Sequence, residues 1–236
     1  MEDPQSDKKA TVTSMFDSIA NSYDFLNHFL SFGIDRIWRR KAIRIISEAY
    51  KNPKILDVAT GTGDLAIAAM RIDPIHITGI DISDRMLEIG RDKINRKRLA
   101  GRIELVHGDS EKIPSEDNFF DIAMVAFGVR NFEDPLKGLS EMKRVVRSGG
   151  MVLVLEFSKP VKFPFRQLYN FYFFKILPVI GRLFSRNAGA YKYLPESVMQ
   201  FPDNERFMGL MIKAGLDSVK QKRITFGIAS IYTGLK

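Results

Sequence analysis

The chain has no cysteine, a single tryptophan (Trp38) and three histidines (His28, His76 and His107) in 236 residues. Without cysteine there are no disulfides, no thiolate nucleophile and no cysteine-liganded zinc, a profile that suits a reducing compartment. No apolar run approaches the roughly twenty residues a membrane-spanning helix needs. The polar, acidic stretch over residues 1–8 does not read as a signal peptide. A soluble, cytoplasmic protein is expected. The most local absence is of acids. Residues 157–195 contain neither Asp nor Glu, yet hold Lys159, Lys162, Arg166, Lys175, Arg182, Arg186 and Lys192. The formal net charge is +8. A balance of that sign prompts a nucleic-acid partner, but most of the excess belongs to this one segment.

What is present is organised around residues 54–65, KILDVATGTGDL. The apolar run 55–58 reads as a buried strand, Gly61 and Gly63 as a turn, and residues 65–70 as the start of a helix. Strand, glycine turn and helix form the unit that holds a nucleotide-like ligand at the carboxyl end of a parallel strand. Glycine lets the backbone approach such a ligand closely, and the helix N-terminus offers free N–H groups. The next strand ends in Asp81, eighteen residues after Gly63, where an acid would grip a ribose diol. Asp109 and Ser110 end a third strand on the same edge. They suit the polar edge of an adenine, or else form an ordinary Asp-Ser turn. Asp57, beneath the glycine turn, either organises the loop or reaches a cationic ligand, or else is an ordinary strand-end carboxylate capping backbone N–H groups.

Taken in order, residues 1–13 read as disordered or frayed. Helical spacing begins near Val12, with Met15, Phe16, Ile19 and Ala20 forming an apolar stripe. A turn over 31–35 leads into a basic helix over 36–50, which Asn52-Pro53 stops. This gives a helical cap over 1–52. A domain over 53–236 follows, with a basic aromatic insertion at about 159–200. Strands are predicted at 54–58, 76–81, 103–106, 120–127 and 150–156. Helices are predicted after the Ser83 cap, over 136–147 and over about 203–214. Two tail strands, near 217–224 and 228–235, flank Phe226-Gly227. The expectation is an α/β, Rossmann-like fold: a mostly parallel seven-stranded sheet ending in an antiparallel hairpin strand. Up to this point a nicotinamide cofactor and S-adenosylmethionine fit about equally well.

Residues 144–158, RVVRSGGMVLVLEFS, place a Gly-Gly turn before an apolar strand. With a terminal hairpin beyond it, this resembles the class I methyltransferases that use S-adenosylmethionine. Residues 23–39, YDFLNHFLSFGIDRIWR, resemble the N-terminal signature of the menaquinone/ubiquinone C-methyltransferase family, and residues 144–158 its second signature. Residues 57–64 and 127–131 agree, and the resemblance runs from Ala10 to the end. It departs at Asp35, where many relatives carry His, and at Ser148, where Pro is usual. Ala126 stands where some relatives have a cofactor-contacting Ser, so that contact is not carried over. The resemblance implies methyl transfer from S-adenosylmethionine to a ring carbon of a polyprenylated quinol. Demethylmenaquinol is the first choice, and a 2-methoxy-6-polyprenyl-benzoquinol the alternative. It implies cofactor contacts at Gly61, Thr62, Asp81, Asp109 and Ser110, and no metal. Arg130 would hold the quinolate oxygen and Asn131 would orient it or a water. Tyr23 would close the site from the cap as a proton relay. His28 is a weaker candidate base, and His76 and His107 read as structural. The plain alternative for Arg130 is an ion pair with Glu133 or Asp134.

Phe163, Phe165, Tyr169, Phe171, Tyr172, Phe173 and Phe174 interleave with the cations of the acid-free segment. That composition suits transient contact with the inner face of a membrane, or simply the packing of the insertion. A nucleic-acid methyltransferase is disfavoured. Residues 126–131 read AFGVRN where base N-methylation resembles an Asp/Asn-Pro-Pro-aromatic run, and pyrimidine C5 methylation needs a cysteine. A non-catalytic lipid- or partner-binding module on a degenerate Rossmann frame is opposed by the intact Gly61, Gly63, Asp81 and Asp109 set. The oligomeric state, a homodimer included, is open.

Overall fold

A strand covered on both faces must be apolar throughout, whereas an edge strand tolerates charge. The computed structural model describes residues 4–176 and 188–236, and its sheet follows that rule. β1 (Lys54–Val58), β2 (His76–Asp81), β3 (Ile103–His107), β4 (Phe120–Ala126), β5 (Val146–Phe157), β6 (Asp217–Ile224) and β7 (Ala229–Leu235) lie in the order β3-β2-β1-β4-β5-β7-β6. The first five pair in parallel. β7 runs antiparallel to both β5 and β6, so the expected hairpin closes the sheet. Its second strand lies inside: apolar β7 is buried between neighbours, and β6, DSVKQKRI, takes the edge.

The helices are α1 (Pro4–Leu30), α2 (Ile34–Ala49), α3 (Asp64–Ala69), α4 (Asp84–Arg96), α5 (Pro135–Val145), α6 (Phe165–Phe171), α7 (Ala188–Gln200) and α8 (Glu205–Lys213). A π-helical turn, Tyr172–Ile176, follows α6. Alternate strand residues feed two cores. Ile55, Ile77, Ile122 and Leu153 pack with Trp38, Ile43 and Ile46 of α2 and Leu87 of α4. Leu56, Val58, Val125 and Val154 pack with Leu139 and Met142 of α5 and Phe207 of α8. Burying one such side chain contributes about 1.5–3 kcal/mol. Trp38, Ala42 and Ile46 recur every fourth residue on α2, so this helix shares the core of β1.

Three local expectations are corrected. The segment expected to fray is helical from Pro4 onward, because Val12 is buried and Lys9 pairs with Asp109 beyond β3. Helix α5 stops at Val145, two residues early, and β5 begins at Val146 instead of Gly150. Phe120 pairs with Val146 and Ile122 with Met151, so residues 147–150 bulge inside the strand, with Gly149 at φ +74°. The Gly-Gly pair is therefore part of the ladder: Gly149 N–H donates to the Lys236 carbonyl at 2.7 Å. β4 ends at Ala126, one residue before Phe127, which has φ +58°. In the insertion, Tyr169, Phe173 and Val198 form a small core of their own. No helix among the described residues is long and apolar enough to cross a membrane.

Candidate active site

The glycine turn after β1 has left-handed backbone at Gly61 (φ +55°) and Gly63 (φ +80°), which any other residue would adopt under strain. Beneath it, the Asp57 carboxylate accepts from Thr60 Oγ1 at 2.7 Å and from Ala66 N–H at 3.0 Å. It ties the loop to the first turn of α3, so it both organises the loop and caps a backbone N–H. Burial pushes the Asp57 carboxyl up to about 7, against the pull of these two donors. Asp81 accepts from Gly61 N–H at 2.8 Å and from Ser83 N–H at 2.9 Å, which pins the glycine turn to the end of β2. Burial pushes Asp81 up too, opposed by the Ser83 and Gly61 N–H groups.

A cleft of about 750 Å³, open solvent included, lies above these strand ends. Gly61, Asp81, Asp109, Ser110 and Asn131 line it, and α1 lies across it with Lys9, Phe16 and Tyr23. Asp109 is paired with Lys9 and accepts from Glu111 N–H at 2.9 Å. Burial raises its carboxyl, but the Lys9 and Glu111 bonds outweigh that and hold it below the usual range. The residues fit S-adenosylmethionine. A Cβ at Gly61 would meet nothing within 4 Å, so the backbone there is open to a ligand. Acids stand at the ends of two successive strands, and Ile82, Met86 and Phe132 offer an apolar wall to an adenine. Thr62 is placed elsewhere. Its hydroxyl donates to Asp24 and accepts from Lys93 Nζ at 2.9 Å, in a recess shared with Arg39 and Asp64.

A second cleft adjoins the first and shares Phe16, Tyr23 and Phe127 with it. Aromatic rings line it: Phe127 and Phe157 lie 4.7 Å apart between centroids, and Trp38 is 5.9 Å from one and 6.0 Å from the other. Arg130 reaches this cleft, and Asn131, next in the chain, reaches the first. The ion-pair partner of Arg130 is Glu156, at 2.9 Å with both side chains buried, and not Glu133 or Asp134. The backbone N–H groups of those two residues instead bind Glu111 Oε1 at 2.8 and 3.1 Å. Arg130 Nη1 also donates to the Phe127 carbonyl. The Tyr193 hydroxyl donates to Asn131 Oδ1 at 3.0 Å. Tyr23 stands where the clefts meet. Burial raises its phenol, against hydrogen bonding from Asn27 and the charges of Arg130 and Arg39, so it is a hydroxyl donor at neutral pH.

His28 belongs to an ion network. Its Nδ1 is 2.8 Å from Asp35 and its Nε2 is 3.5 Å from Asp64, while Arg39 pairs with Asp35 and Lys93 with Asp24 and Asp64. His76 is 3.9 Å from Glu104, and His107 is 3.0 Å from Asp84. Sequence reasoning did not single out Glu156, Lys9, Asp24, Lys93 or Arg39. Glu156 alone left a signal, as the one acid closing an otherwise apolar strand.

Residues 4–236 match the ubiE/COQ5 methyltransferase family. The chain belongs to that family. It is 50% identical over 232 residues to the ubiquinone/menaquinone biosynthesis C-methyltransferase UbiE of Geotalea daltonii, covering 98% of each chain. It is 44% identical over 230 residues to a demethylmenaquinone methyltransferase of Bacteroides fragilis, covering 97% of this chain and 94% of that one. The methyltransferase uses S-adenosylmethionine and belongs to quinone biosynthesis. Its fold is shared with a putative S-adenosyl-L-methionine-dependent methyltransferase from Methanococcus maripaludis, at TM-score 0.66 and 23% identity, covering 93% of both chains.

Proposed function

We propose that the methyltransferase acts on a ring carbon of a polyprenylated quinol, converting demethylmenaquinol to menaquinol. The observation that carries this is the pair of adjoining clefts. One is lined by strand-end acids and the other by aromatic rings, and they meet at Tyr23 and Phe127. Relatives named demethylmenaquinone methyltransferase support the naphthoquinol. The mutually packed Trp38, Phe127 and Phe157 rings that line the second cleft suit an aromatic substrate ring.

Bound S-adenosylmethionine supplies an electrophilic methyl group on a sulfonium. The protein supplies position, worth up to about 7–11 kcal/mol in favourable cases, and charge. Asp81 would accept ribose hydroxyls while holding Gly61 in place, and Asp109 with Ser110 would meet the adenine edge. A quinol ring is most nucleophilic at the carbon ortho to an ionised hydroxyl. Arg130, oriented by Glu156 and the Phe127 carbonyl, stabilises that oxygen as negative charge develops. Tyr23 donates its phenol from α1, and Asn131, steadied by Tyr193, leaves its amide N–H groups to donate.

Transient contact with an anionic membrane completes the reading, because a polyprenyl quinol resides in lipid. Phe163 (80% exposed), Leu168, Phe171 and Phe174 stand out from the insertion beside Lys162, Arg166 and Lys175. Tyr169 and Phe173 are instead buried, so packing and interfacial residues alternate in one segment. Arg182 and Arg186 lie outside the described residues.

Quinone profiling of a deletion strain tests the substrate. Accumulated demethylmenaquinone is the expected result, and an accumulated benzoquinone precursor selects the ubiquinone substrate. An unchanged quinone pool rejects both.

A further inference from the structure

The second cleft holds two guanidinium groups, and the mechanism above uses one of them. The other is Arg39 on α2, only 8% exposed. It pairs with Asp35 and stands 3.7 Å from Asp64, yet its Nε has no hydrogen-bond partner among the described residues. A guanidinium has five N–H donors, so donors outnumber acceptors here. Arg130 has the same surplus, since its side-chain bonds to the described residues use Nη1 and Nε.

The two groups are placed alike on the aromatic pair. Arg39 stands over the Phe127 ring, 5.7 Å from its centroid, and Arg130 over the Phe157 ring, 5.5 Å from its centroid. Each is held by a carboxylate that is itself nearly or fully buried, Asp35 for Arg39 and Glu156 for Arg130. Tyr23 lines the same cleft as both guanidinium groups.

Resting on the assignment of this cleft to the quinol, we infer that Arg39 is a second oxygen anchor, so that Arg39 and Arg130 together recognise a 1,4-dihydroxyarene. A ring held at one oxygen can pivot about that contact and offer several carbons to the first cleft. A ring held at both oxygens keeps one edge toward Tyr23 and the methyl donor. Arg39 thus acts on which carbon is methylated and on the preference for a diol over a simple phenol. A site that donates to a hydroxyl rejects the analogue lacking it, because its donors are then left buried without an acceptor.

The test needs no turnover. Trp38 is the sole tryptophan and lines the cleft, so quenching of its fluorescence reports binding. The probes are 1,4-naphthalenediol, kept reduced without oxygen, and 1-naphthol. The parent protein should bind the diol at least about tenfold more tightly, the scale of one lost charge-assisted hydrogen bond. Arg39→Lys keeps a cation beside Asp35 but loses the planar fork. It should erase the preference and leave 1-naphthol binding unchanged. Should Arg39→Lys fail to fold, the double variant Asp35→Asn with Arg39→Gln removes the buried charges together, and the same loss is expected. A parent with equal affinity for both probes, or an Arg39→Lys that keeps its preference, overturns the second anchor while leaving the cleft a ring site. Binding of neither probe by the parent removes the quinol assignment itself, and this inference with it.

Discussion

Arg130 and Glu156 are twenty-six residues apart and joined directly at 2.9 Å, both side chains buried. Truncating one partner leaves the other charge buried and unpaired, which costs about 3–5 kcal/mol. Arg130→Ala should therefore lower both the melting temperature and kcat, and Arg130→Lys separates the two effects. With a cation retained, Arg130→Lys should melt near the parent while its kcat falls about tenfold or more, because a point charge replaces a fork. Parental kcat in Arg130→Lys would make Arg130 a structural partner only. Asp57 gives a prediction of another kind. Its carboxyl titrates near 7 in the folded protein, above the unfolded value of about 4. Between those values the native state binds the extra proton, so stability falls as pH rises from about 4 to about 7 and then levels. The steepest slope is about 1.4 kcal/mol per pH unit. Asp57→Asn has no proton to lose and should flatten that part of the curve in denaturant titrations. An unaltered curve would show that Asp57 is ionised throughout.

At the scale of elements, α1 is the piece that closes both clefts. Among the described side chains its polar contacts include Lys9 with Asp109, Asp17 with Ser83, Asn21 with Arg85 at 3.2 Å, and Asp24 with Lys93 and Thr62. Pairs of this partly exposed kind contribute about 0–1 kcal/mol each and weaken with salt. Opening of α1 should therefore be a low-energy local event. Hydrogen exchange over residues 4–30 should quicken in about 1 M salt and slow when S-adenosylmethionine is added, with β1 and β4 unaffected by salt. Exchange in α1 indifferent to both would remove its role as a closing element. This also explains why residues 4–11 did not read as helix. They have no apolar stripe, and Lys9 among them is held by a partner a hundred residues away. The bulge in β5 escaped for a related reason: Gly149-Gly150 looks like a turn locally, and only its two hydrogen bonds with the Lys236 backbone make it part of a strand.

For the whole molecule, the acid-free segment gathers exposed apolar residues from two other parts of the chain. Phe32, in the turn before α2, lies 6.4 Å from Tyr172, and Phe226, in the turn between β6 and β7, stacks at 3.9 Å on Phe165. Both turn-tip rings are exposed at left-handed backbone positions. Lys162, Arg166 and Lys175 changed together to Glu should release the protein from anionic vesicles, since each cation near such a surface contributes about 1 kcal/mol. Added salt should release the parent likewise. Equal sedimentation of mutant and parent with vesicles would leave these residues a packing role alone.

The sequence by itself determined the elements whose signals are local or periodic. The strand, glycine turn and helix of residues 54–69, the acids closing β2 and β3, the hairpin at the sheet edge and the family signatures were all legible. Their physical causes lie within a few residues: alternating burial, left-handed glycine, and a parallel strand that puts its carboxyl end beside the next. Only the tertiary structure decided which charges meet. Thr62 turned toward Asp24 and Lys93, Arg130 took Glu156 in place of its sequence neighbours, and Arg39 came to share an aromatic cleft with it. Each of these pairings depends on strand register and on how α1, α2 and α7 pack over the sheet, and a buried charge takes whichever partner that packing brings within reach.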